Sequence, residues 1–238
     1  MRKVLIIGAS SGIGRELAII LAKKGYEIGL MARRIKNLEI LQNEIQSRTH
    51  IGYVDIANPS DAIEKTQEMV DKMGGLDLII LNAGTGFLNS ELDWSKEKQT
   101  IDVNVQGFCA LVGLGYKYFA HQGHGHVVGI SSIGALRGNH LAPAYNASKA
   151  FMSNYLEGLR KKAYHDKIPI TVTDIKPGFV DTDMAKGEGK FWVASPQKAA
   201  EQIYDAIKAK KKHAYITHRW WLIGWLMKLM PDWLYFRI

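Results

Sequence analysis

The sequence has too little cysteine for disulfide bonds and no apolar run long enough to span a membrane. Its single cysteine, Cys109, excludes a disulfide within the chain and fits a reducing compartment such as the cytoplasm. No stretch of about 18 residues is apolar and uncharged, so no ordinary membrane-spanning helix is predicted. The apolar run 4–7 follows Arg2 and Lys3 but stops at Gly8, which is too short for a secretory signal peptide. We therefore expect a buried first strand there.

Acidic residues are also in deficit, with 23 Asp and Glu against 31 Lys and Arg and a net charge of +8. Such a balance suits nucleic acid, a membrane surface or an anionic small ligand. The cations are spread along the chain, and the densest runs, 160–162 and 208–212, lie near predicted helix ends, where they complement the helix dipole. Because no basic stripe is interleaved with aromatic residues, nucleic acid binding is not expected.

Apolar strand-like runs alternate with longer amphipathic stretches, and 238 residues are enough for one domain with a large core. Strands are predicted at 4–7, 28–32, 51–54, 76–81, 126–131, 170–175 and 214–217. Helices are predicted at 13–24, 35–46, 60–72, 95–121, 145–164 and 197–210. Several strands are apolar at consecutive positions, as in a parallel sheet that is covered on both faces. The pattern predicts a doubly wound α/β fold with a mostly parallel seven-stranded sheet and helices on both faces, in one domain over 1–217.

A glycine-rich segment follows the first predicted strand and opens the first predicted helix. It reads Gly-Ala-Ser-Ser-Gly-Ile-Gly over residues 8–14. Glycines let the backbone turn tightly and let a pyrophosphate approach it, while the helix N-terminus supplies free N–H groups. A purely structural turn is the alternative, but the strand–turn–helix context favours dinucleotide binding. The candidate contacts are Gly8, Ser10, Ser11, Gly12, Ile13 and Gly14.

The end of the second predicted strand favours NADP(H) over NAD(H). NAD-binding folds usually carry an acidic residue about 20 residues beyond the glycines, on the ribose hydroxyls. Here the strand ends in Arg33 and Arg34, with no carboxylate. Arginine binds a 2′-phosphate through paired hydrogen bonds, whereas a carboxylate would repel it. Two solvated arginines are the alternative interpretation.

Tyr145 and Lys149 lie four positions apart at the start of a long predicted helix, so both side chains project from the same helical face. A free tyrosine has a pKa near 10, which is high for proton exchange at neutral pH. A nearby ammonium favours the phenolate, so we expect Lys149 to lower the pKa of Tyr145. Taken alone, this spacing is also common in surface pairs.

Together with further motifs, these features resemble the short-chain dehydrogenase/reductase family, in its single-domain type with a Tyr-x3-Lys pair. The matches run in order over roughly residues 1–200. Beyond the glycine segment they comprise Asp55, Ile56, Asn82, Ala83, Gly84, Asn104, Ser132, Tyr145, Lys149, Pro177, Gly178, Val180 and Thr182. Ser132 precedes Tyr145 by 13 positions, the spacing of the family's serine, and only this spacing selects it over Ser131.

The resemblance implies a Rossmann-type fold that binds NADP(H) and a role for each matched residue. Asp55 and Ile56 would hold the adenine, and residues 177–182 would touch the nicotinamide end. Tyr145 would exchange a proton with the substrate oxygen, and Ser132 would hydrogen-bond the same oxygen. Lys149 would also hold the nicotinamide ribose, and Asn104 would position a water that relays protons.

The loop 183–194 contains glycines, charges and two aromatic residues, which predicts a mobile segment able to close over an apolar ligand. The apolar side chains expected around the substrate are Met184, Phe191, Trp192, Phe87 and Leu141.

The tail 218–238 holds four of the six tryptophans, and Pro231 divides it. Two interpretations stay open for this tail. It packs on its own subunit, on a partner subunit or at the substrate mouth, or it lies in a membrane interface as a peripheral contact.

The sequence thus predicts an NADP(H)-dependent oxidoreductase, a carbonyl reductase or alcohol dehydrogenase, acting on a small-molecule, apolar carbonyl or alcohol. A lipid, sterol or acyl chain delivered from a membrane would suit the tail. We expect it in the cytoplasm, with membrane association if the tail lies on a bilayer, and the resemblance implies a homodimer or homotetramer. A non-catalytic NADP-binding scaffold with a membrane- or partner-binding tail is the alternative. An epimerase or dehydratase would need a larger substrate portion. The histidines near residue 125 lie at a predicted turn, so no metal site is expected.

Overall fold

The structure is a computed structural model that describes residues 1–182 and 191–237. Seven parallel strands form one sheet in the order β3-β2-β1-β4-β5-β6-β7. The strands are β1 (Lys3–Ile7), β2 (Glu27–Ala32), β3 (Thr49–Tyr53), β4 (Leu78–Leu81), β5 (Gly125–Ile130), β6 (Ile170–Pro177) and β7 (His213–Ile216). The chain therefore has the predicted doubly wound fold, and the predicted sheet is confirmed.

Helices cover both faces of the sheet. They are α1 (Gly12–Lys23), α2 (Ile35–Glu44), α3 (Pro59–Met73), α4 (Trp94–Ile101), α5 (Phe108–Gln122), α6 (Pro143–His165), α7 (Pro196–Lys208), α8 (Trp220–Leu229) and α9 (Asp232–Tyr235). Alternate residues of β1 show how the core is divided. Val4 and Ile6 pack in a cluster with residues of α1, α2 and α7, whereas Leu5 and Ile7 pack in a cluster with residues of α3, α5 and α6. Consecutive apolar residues were thus a correct indication of burial on both faces.

Most predicted elements end within two residues of the observed bounds, and the helix predicted at 95–121 contains a turn of a different helical type. It consists of α4, a six-residue π-helical turn (Asp102–Gly107) and α5. At Gly107 an added Cβ would collide with the carbonyl of Ile56. The backbone thus approaches the end of β3 closely, which an apolar periodicity cannot reveal. Asn104 lies within the π-helical turn, a feature that is frequent at functional sites.

The tail packs one of its faces on the body of the chain. Gly224 of α8 is buried, and an added Cβ there would contact Leu136, Tyr215 and Ile133. The Arg137 guanidinium donates hydrogen bonds to the carbonyl of Met230 (2.8 Å) and to the carboxylate of Asp232 (2.7 Å). None of the helices formed by residues 1–182 and 191–237 is long and apolar enough to cross a membrane. The predicted boundary at residue 217 stays a prediction.

Candidate active site

The carboxyl ends of the central strands lie side by side and carry the predicted site residues. β1 leads into the glycine segment, and its neighbour β4 leads into Asn82. Chain order reverses between β1 and β4, and the crevice at such a reversal is where open α/β sheets bind ligands. β5 leads into Ser132, and β6 ends at Pro177. The topology therefore brings the predicted residues to one edge of the sheet.

The glycine segment is held closely against the loop that follows β4. Gly8 has φ +90°, and a Cβ at this position would collide with the backbone of Ala83. The Asn82 side chain donates a hydrogen bond to the Gly8 carbonyl at 2.7 Å. Gly14 packs on both Gly8 and Asn82, so it also leaves no room for a side chain. The glycines are therefore required by the backbone geometry that the sequence motif predicts.

The N-terminus of α1 has the properties of an anion site. Ser11 precedes the helix without a side-chain capping hydrogen bond, and the first turn contains no acidic residue. Gly12 has φ +56°, and an added Cβ would lie 3.0 Å from a methyl carbon of Thr182. The segment after β6 therefore lies over the glycine segment. Main-chain N–H groups at a helix end and a dipole of the right sign fit a pyrophosphate.

Arg34 lies directly on this segment. Its guanidinium donates hydrogen bonds to the hydroxyls of Ser10 (3.2 Å) and Ser11 (2.5 Å). Arg33 and Arg34 are both exposed at the end of β2, and the first turn of α2 has no acidic residue. Asp55, after β3, is half-buried and accepts a hydrogen bond from the Ala57 N–H at 3.1 Å. The charges at this end of the crevice therefore fit an anionic group.

Tyr145 and Ser132 form the centre of the site. The Ser132 hydroxyl and the Tyr145 ring lie together at Gly134, where an added Cβ would be 3.4 Å and 3.5 Å from them. The Ser132 hydroxyl also accepts a hydrogen bond from the Gly134 N–H at 3.0 Å. Asn146, next to Tyr145 in α6, donates hydrogen bonds to the carbonyls of Gly134 (3.0 Å) and Arg137 (2.8 Å). The loop that carries Ser132 is thereby attached to the helix that carries Tyr145.

The pKa of Tyr145 corrects one sequence-based expectation. Burial raises the pKa of Tyr145 above its ordinary value, and the hydrogen bond with Ser132 opposes this shift. The Lys149 ammonium donates a hydrogen bond to the carbonyl of Ile130 (3.0 Å) and lies 5.8 Å from the centre of the Tyr145 ring. The pKa of Tyr145 is therefore not lowered as expected from Lys149, because burial removes solvation that a phenolate would need.

Lys149 is itself buried. Burial lowers the pKa of Lys149 from 10.5 to about 8, and the negative charge of Asp174 opposes that shift. The Lys149 ammonium therefore loses its proton just above neutral pH. The Tyr145 hydroxyl keeps its proton in the same pH range.

Asn104 connects the loop after β4 with α6. Its amide accepts a hydrogen bond from the Thr85 N–H (2.9 Å) and donates to the Thr85 carbonyl (2.7 Å). The same amide donates to the Ser148 hydroxyl (2.9 Å), which in turn donates to the Tyr145 carbonyl (2.7 Å). These bonds join Asn104 to the first turn of α6, next to Tyr145, and its role toward a relayed water stays a prediction.

Gly86 is a site residue that motif matching did not identify. An added Cβ at this position would collide with the Tyr145 ring. The loop after β4 therefore packs against the phenol, and glycine is the residue that leaves room for it. The signal in the sequence was a second glycine two positions after the Asn82–Gly84 motif.

A buried carboxylate behind the site was also missed. Asp174 of β6 is fully buried, and it accepts hydrogen bonds from the hydroxyls of Ser131 (2.5 Å) and Ser153 (2.7 Å) and from the Lys176 ammonium. Burial alone would raise the pKa of Asp174, but His213 and Lys176 hold it well below its ordinary value. The Ser131 hydroxyl is therefore engaged by Asp174, whereas the Ser132 hydroxyl lies beside Tyr145 at Gly134, and the choice of Ser132 stays a prediction.

An aromatic cluster lies next to the segment after β6. Trp220 of α8 is buried, and its ring centroid lies 5.4 Å from that of Phe179 and 5.1 Å from that of Phe191. Trp192 joins the cluster at 6.3 Å from Trp220. Two of the predicted substrate-loop residues, Phe191 and Trp192, thus contact the tail.

The other predicted substrate contacts are less closely placed. Met184 lies outside the described residues. Phe87 is half-buried, and the exposed Leu141 is joined to the loop after β4 by a backbone hydrogen bond from Asn89. Across residues 1–182 and 191–237, no group of three His, Cys, Asp or Glu side chains could hold a metal ion.

Comparison with known sequences places this site in context. A model of the short chain dehydrogenase family matches residues 2–191. An oxidoreductase of Myxococcus xanthus, described as uncharacterized, is 34% identical over 188 residues, which span 77% of this chain and 74% of that protein. The Mus musculus protein named dehydrogenase/reductase SDR family member 7B is 28% identical over 99% of this chain and 79% of its own.

Solved structures share the fold. A short-chain dehydrogenase from Sphingobium yanoikuyae in complex with NADPH has a TM-score of 0.83 at 22% identity and covers 98% of this chain and 96% of its own. An alcohol dehydrogenase from Thermococcus sibiricus complexed with 5-hydroxy-NADP has a TM-score of 0.78 at 23% identity and covers 90% of this chain and 96% of its own. At these identities the likeness supports the architecture alone.

We predict that the Asp174→Asn variant loses about 3–5 kcal/mol of unfolding free energy, because it leaves the Lys176 ammonium buried without its charge partner. Chemical denaturation at neutral pH measures this loss. Since the folded pKa of Asp174 is depressed, its contribution is present above the unfolded value of about 3.9 and disappears only as the pH falls below it.

The matched control is Asp166→Asn, which removes a carboxylate from the exposed ion pair with Lys162 at 2.7 Å. Exposed pairs contribute little, so this variant should unfold like the wild type. Equal destabilisation of both variants would contradict the assignment of Asp174 as a buried charge partner.

Proposed function

The chain belongs to the short-chain dehydrogenase/reductase family of oxidoreductases, and we propose that it is an NADP(H)-dependent carbonyl reductase or alcohol dehydrogenase. The observation that carries this proposal is that the Ser132 hydroxyl and the Tyr145 ring meet at Gly134, 3.4 Å and 3.5 Å from the position of a Cβ added there, with Lys149 on the same helix as Tyr145. Together these residues supply a proton donor and a hydrogen-bond donor for a carbonyl oxygen on which negative charge develops.

The fit of the crevice supports a dinucleotide that extends from Arg34 to the segment after β6. We propose that the N–H groups around Gly12 bind the pyrophosphate and that Asp55 and Ile56 contact the adenine. Lys149 would hold the nicotinamide ribose. The remaining contacts are proposed for Asn82, Ala83, Gly84, Pro177, Gly178, Val180 and Thr182. When bound, the nicotinamide supplies or accepts the hydride.

In the proposed reduction, the Tyr145 hydroxyl donates its proton to the substrate oxygen. The raised pKa of Tyr145 keeps this proton in place at neutral pH, which suits an acid better than a base. Ser132 donates a hydrogen bond to the same oxygen and stabilises the developing negative charge. After the transfer, the Lys149 ammonium stabilises the phenolate that remains. We therefore propose Tyr145 as the general acid of the reduction.

Arg33 and Arg34 support the proposed preference for the phosphorylated cofactor. A 2′-phosphate at the end of β2 would meet two exposed guanidinium groups, one of which already lies on Ser10 and Ser11. Guanidinium groups form strong, paired hydrogen bonds with phosphate.

An apolar substrate is supported by the aromatic cluster of Phe179, Phe191, Trp192 and Trp220. The cluster adjoins Gly178, where an added Cβ would collide with the Trp220 ring. Large aromatic surfaces bind apolar ligands through burial of area from water. We propose a small apolar carbonyl or alcohol as the substrate class.

The single Cys109 supports a reducing compartment such as the cytoplasm. A homodimer or homotetramer built on α5 and α6 stays a prediction. On α6 the exposed Phe151 ring stacks on Tyr155, with ring centroids 5.7 Å apart, which offers an apolar contact for a second copy.

We predict that Tyr145→Phe lowers the rate of NADPH-dependent reduction by about 10²–10⁴-fold, because it removes the general acid. NADPH consumption over a panel of apolar ketones and aldehydes measures the rate. Cofactor binding should persist, as followed by NADPH fluorescence. A wild-type protein that binds NADPH and reduces none of the panel would instead favour the non-catalytic scaffold.

The pH dependence provides a second prediction. Since the pKa of Lys149 is lowered to about 8, its ammonium deprotonates above that pH and kcat/KM for reduction should fall there. In Lys149→Arg the guanidinium stays charged, so any residual activity should keep its rate past pH 8. An identical decline in both proteins would assign the titration to another group.

Cofactor preference provides a third prediction. Replacing Arg33 and Arg34 together by Ala should weaken NADPH binding by roughly 10- to 100-fold, as expected for lost charge-assisted hydrogen bonds. NADH binding is the internal control, because NADH lacks the 2′-phosphate. Equal loss of both affinities would indicate damage to the glycine segment and contradict the phosphate assignment.

A further inference from the structure

The outward side of α8 is an apolar stripe without a partner in the described part of the chain. It consists of Trp221, Leu222, Trp225, Leu226 and Leu229, and we call it the outer face of α8. Each of these side chains is between 53% and 70% exposed. Their spacing places all five on one side of the helix. Single exposed apolar residues are ordinary, but a contiguous set of this size marks an interaction surface.

The orientation of this face is fixed by the rest of the chain. On the opposite side of α8, Trp220 and Gly224 are buried. Arg137 holds the C-terminal end of α8 through the carbonyls of Met227 (3.3 Å) and Met230 (2.8 Å). The Tyr235 hydroxyl donates to the Gly138 carbonyl at 2.7 Å. The helix therefore cannot turn its outer face inward without breaking these contacts.

The composition around the outer face indicates what covers it. Arg219 and Lys228 lie at opposite edges of the stripe on the helical circumference. Further along, Arg237 lies over the exposed ring of Trp233, 5.7 Å from its centre. The one acidic residue of the tail, Asp232, is paired with Arg137. Within residues 1–182 and 191–237, no carboxylate forms an ion pair with Arg219, Lys228 or Arg237, so the surface combines apolar and aromatic side chains with positive charge.

We propose that the outer face of α8 binds the surface of an anionic lipid bilayer. Tryptophan concentrates at the boundary between lipid headgroups and acyl chains, where its apolar ring and its N–H are both satisfied. Cations at the edges of such a helix contact anionic headgroups, while the apolar stripe enters the headgroup–acyl boundary. A second copy of this chain would present the same positive charges, and like charges oppose self-pairing. Charge complementarity therefore favours lipid.

This surface is connected to the proposed substrate region. Trp220, on the inner side of the same helix, belongs to the aromatic cluster with Phe179 and Phe191. A bilayer on the outer face would thus lie one helix away from the cluster. An apolar carbonyl compound dissolved in that bilayer would have a short path to the site, and this last step rests on the proposed oxidoreductase function.

Co-sedimentation of the full chain with vesicles tests the surface without any need for turnover. The probes are phosphatidylcholine vesicles with and without phosphatidylglycerol. We expect the wild type to bind the anionic vesicles, and added salt should weaken this binding. The double variant Trp221→Ser/Trp225→Ser should lower the partition coefficient by roughly tenfold, because it removes two large apolar side chains from the interface.

The matched control is Tyr164→Ser, which removes an aromatic side chain that is 88% exposed at the far end of α6. It should bind vesicles like the wild type. Unchanged NADPH binding by the double variant would show that the fold and the crevice are intact. Failure of the wild type to bind anionic vesicles, or equal binding by the double variant, would overturn the membrane assignment.

Sedimentation velocity without vesicles tests the alternative that the outer face of α8 binds a second copy of this chain. If the wild type binds no vesicles and the double variant alone loses an oligomeric state, the outer face of α8 is a contact between copies and the proposal is overturned. A protein that binds vesicles but reduces no substrate would leave this surface assignment standing and contradict only the oxidoreductase proposal.

Discussion

The geometry of the candidate site depends on how the buried Asp174 carboxylate is satisfied. A charge without access to water is tolerated only where hydrogen bonds and an opposite charge replace its solvation. Here Ser131, Ser153 and Lys176 supply them. Ser131 immediately precedes Ser132 and Ser153 lies one turn beyond Lys149, so one carboxylate connects the end of β5 with the helix that carries the tyrosine. Any movement of β5 relative to α6 would break hydrogen bonds that replace the solvation of the Asp174 carboxylate.

The same solvation cost explains why the pKa values of Tyr145 and Lys149 shift in opposite directions. Burial disfavours the charged form of each, so it raises the pKa of the phenol and lowers that of the ammonium. The two groups therefore resist forming an ion pair in the resting site. Charge is expected to appear on the phenol only when a substrate oxygen takes its proton, at the moment when Ser132 and Lys149 can stabilise it.

Features with a regular spacing could be predicted from the sequence. The alternation of apolar runs and amphipathic stretches predicted the parallel sheet, and the order of the motifs indicated the family. Features that depend on contacts between distant segments could not. The π-helical turn around Asn104 leaves the apolar periodicity unchanged, yet it alters how the backbone meets Ile56. The network of Asp174 joins residues more than 20 positions apart, and no local pattern in the sequence indicates it.

Because α8 is only ten residues long, its two sides share one rigid axis. The inner side contributes Trp220 to the wall beside Gly178, and the outer side is exposed. A substitution that tilts α8 would also move the aromatic cluster around Trp220. Conversely, a substitution that reshapes this cluster would tilt the outer face of α8. Natural variants of this chain should therefore change the tail and the residues around Phe179 together, as one unit of selection.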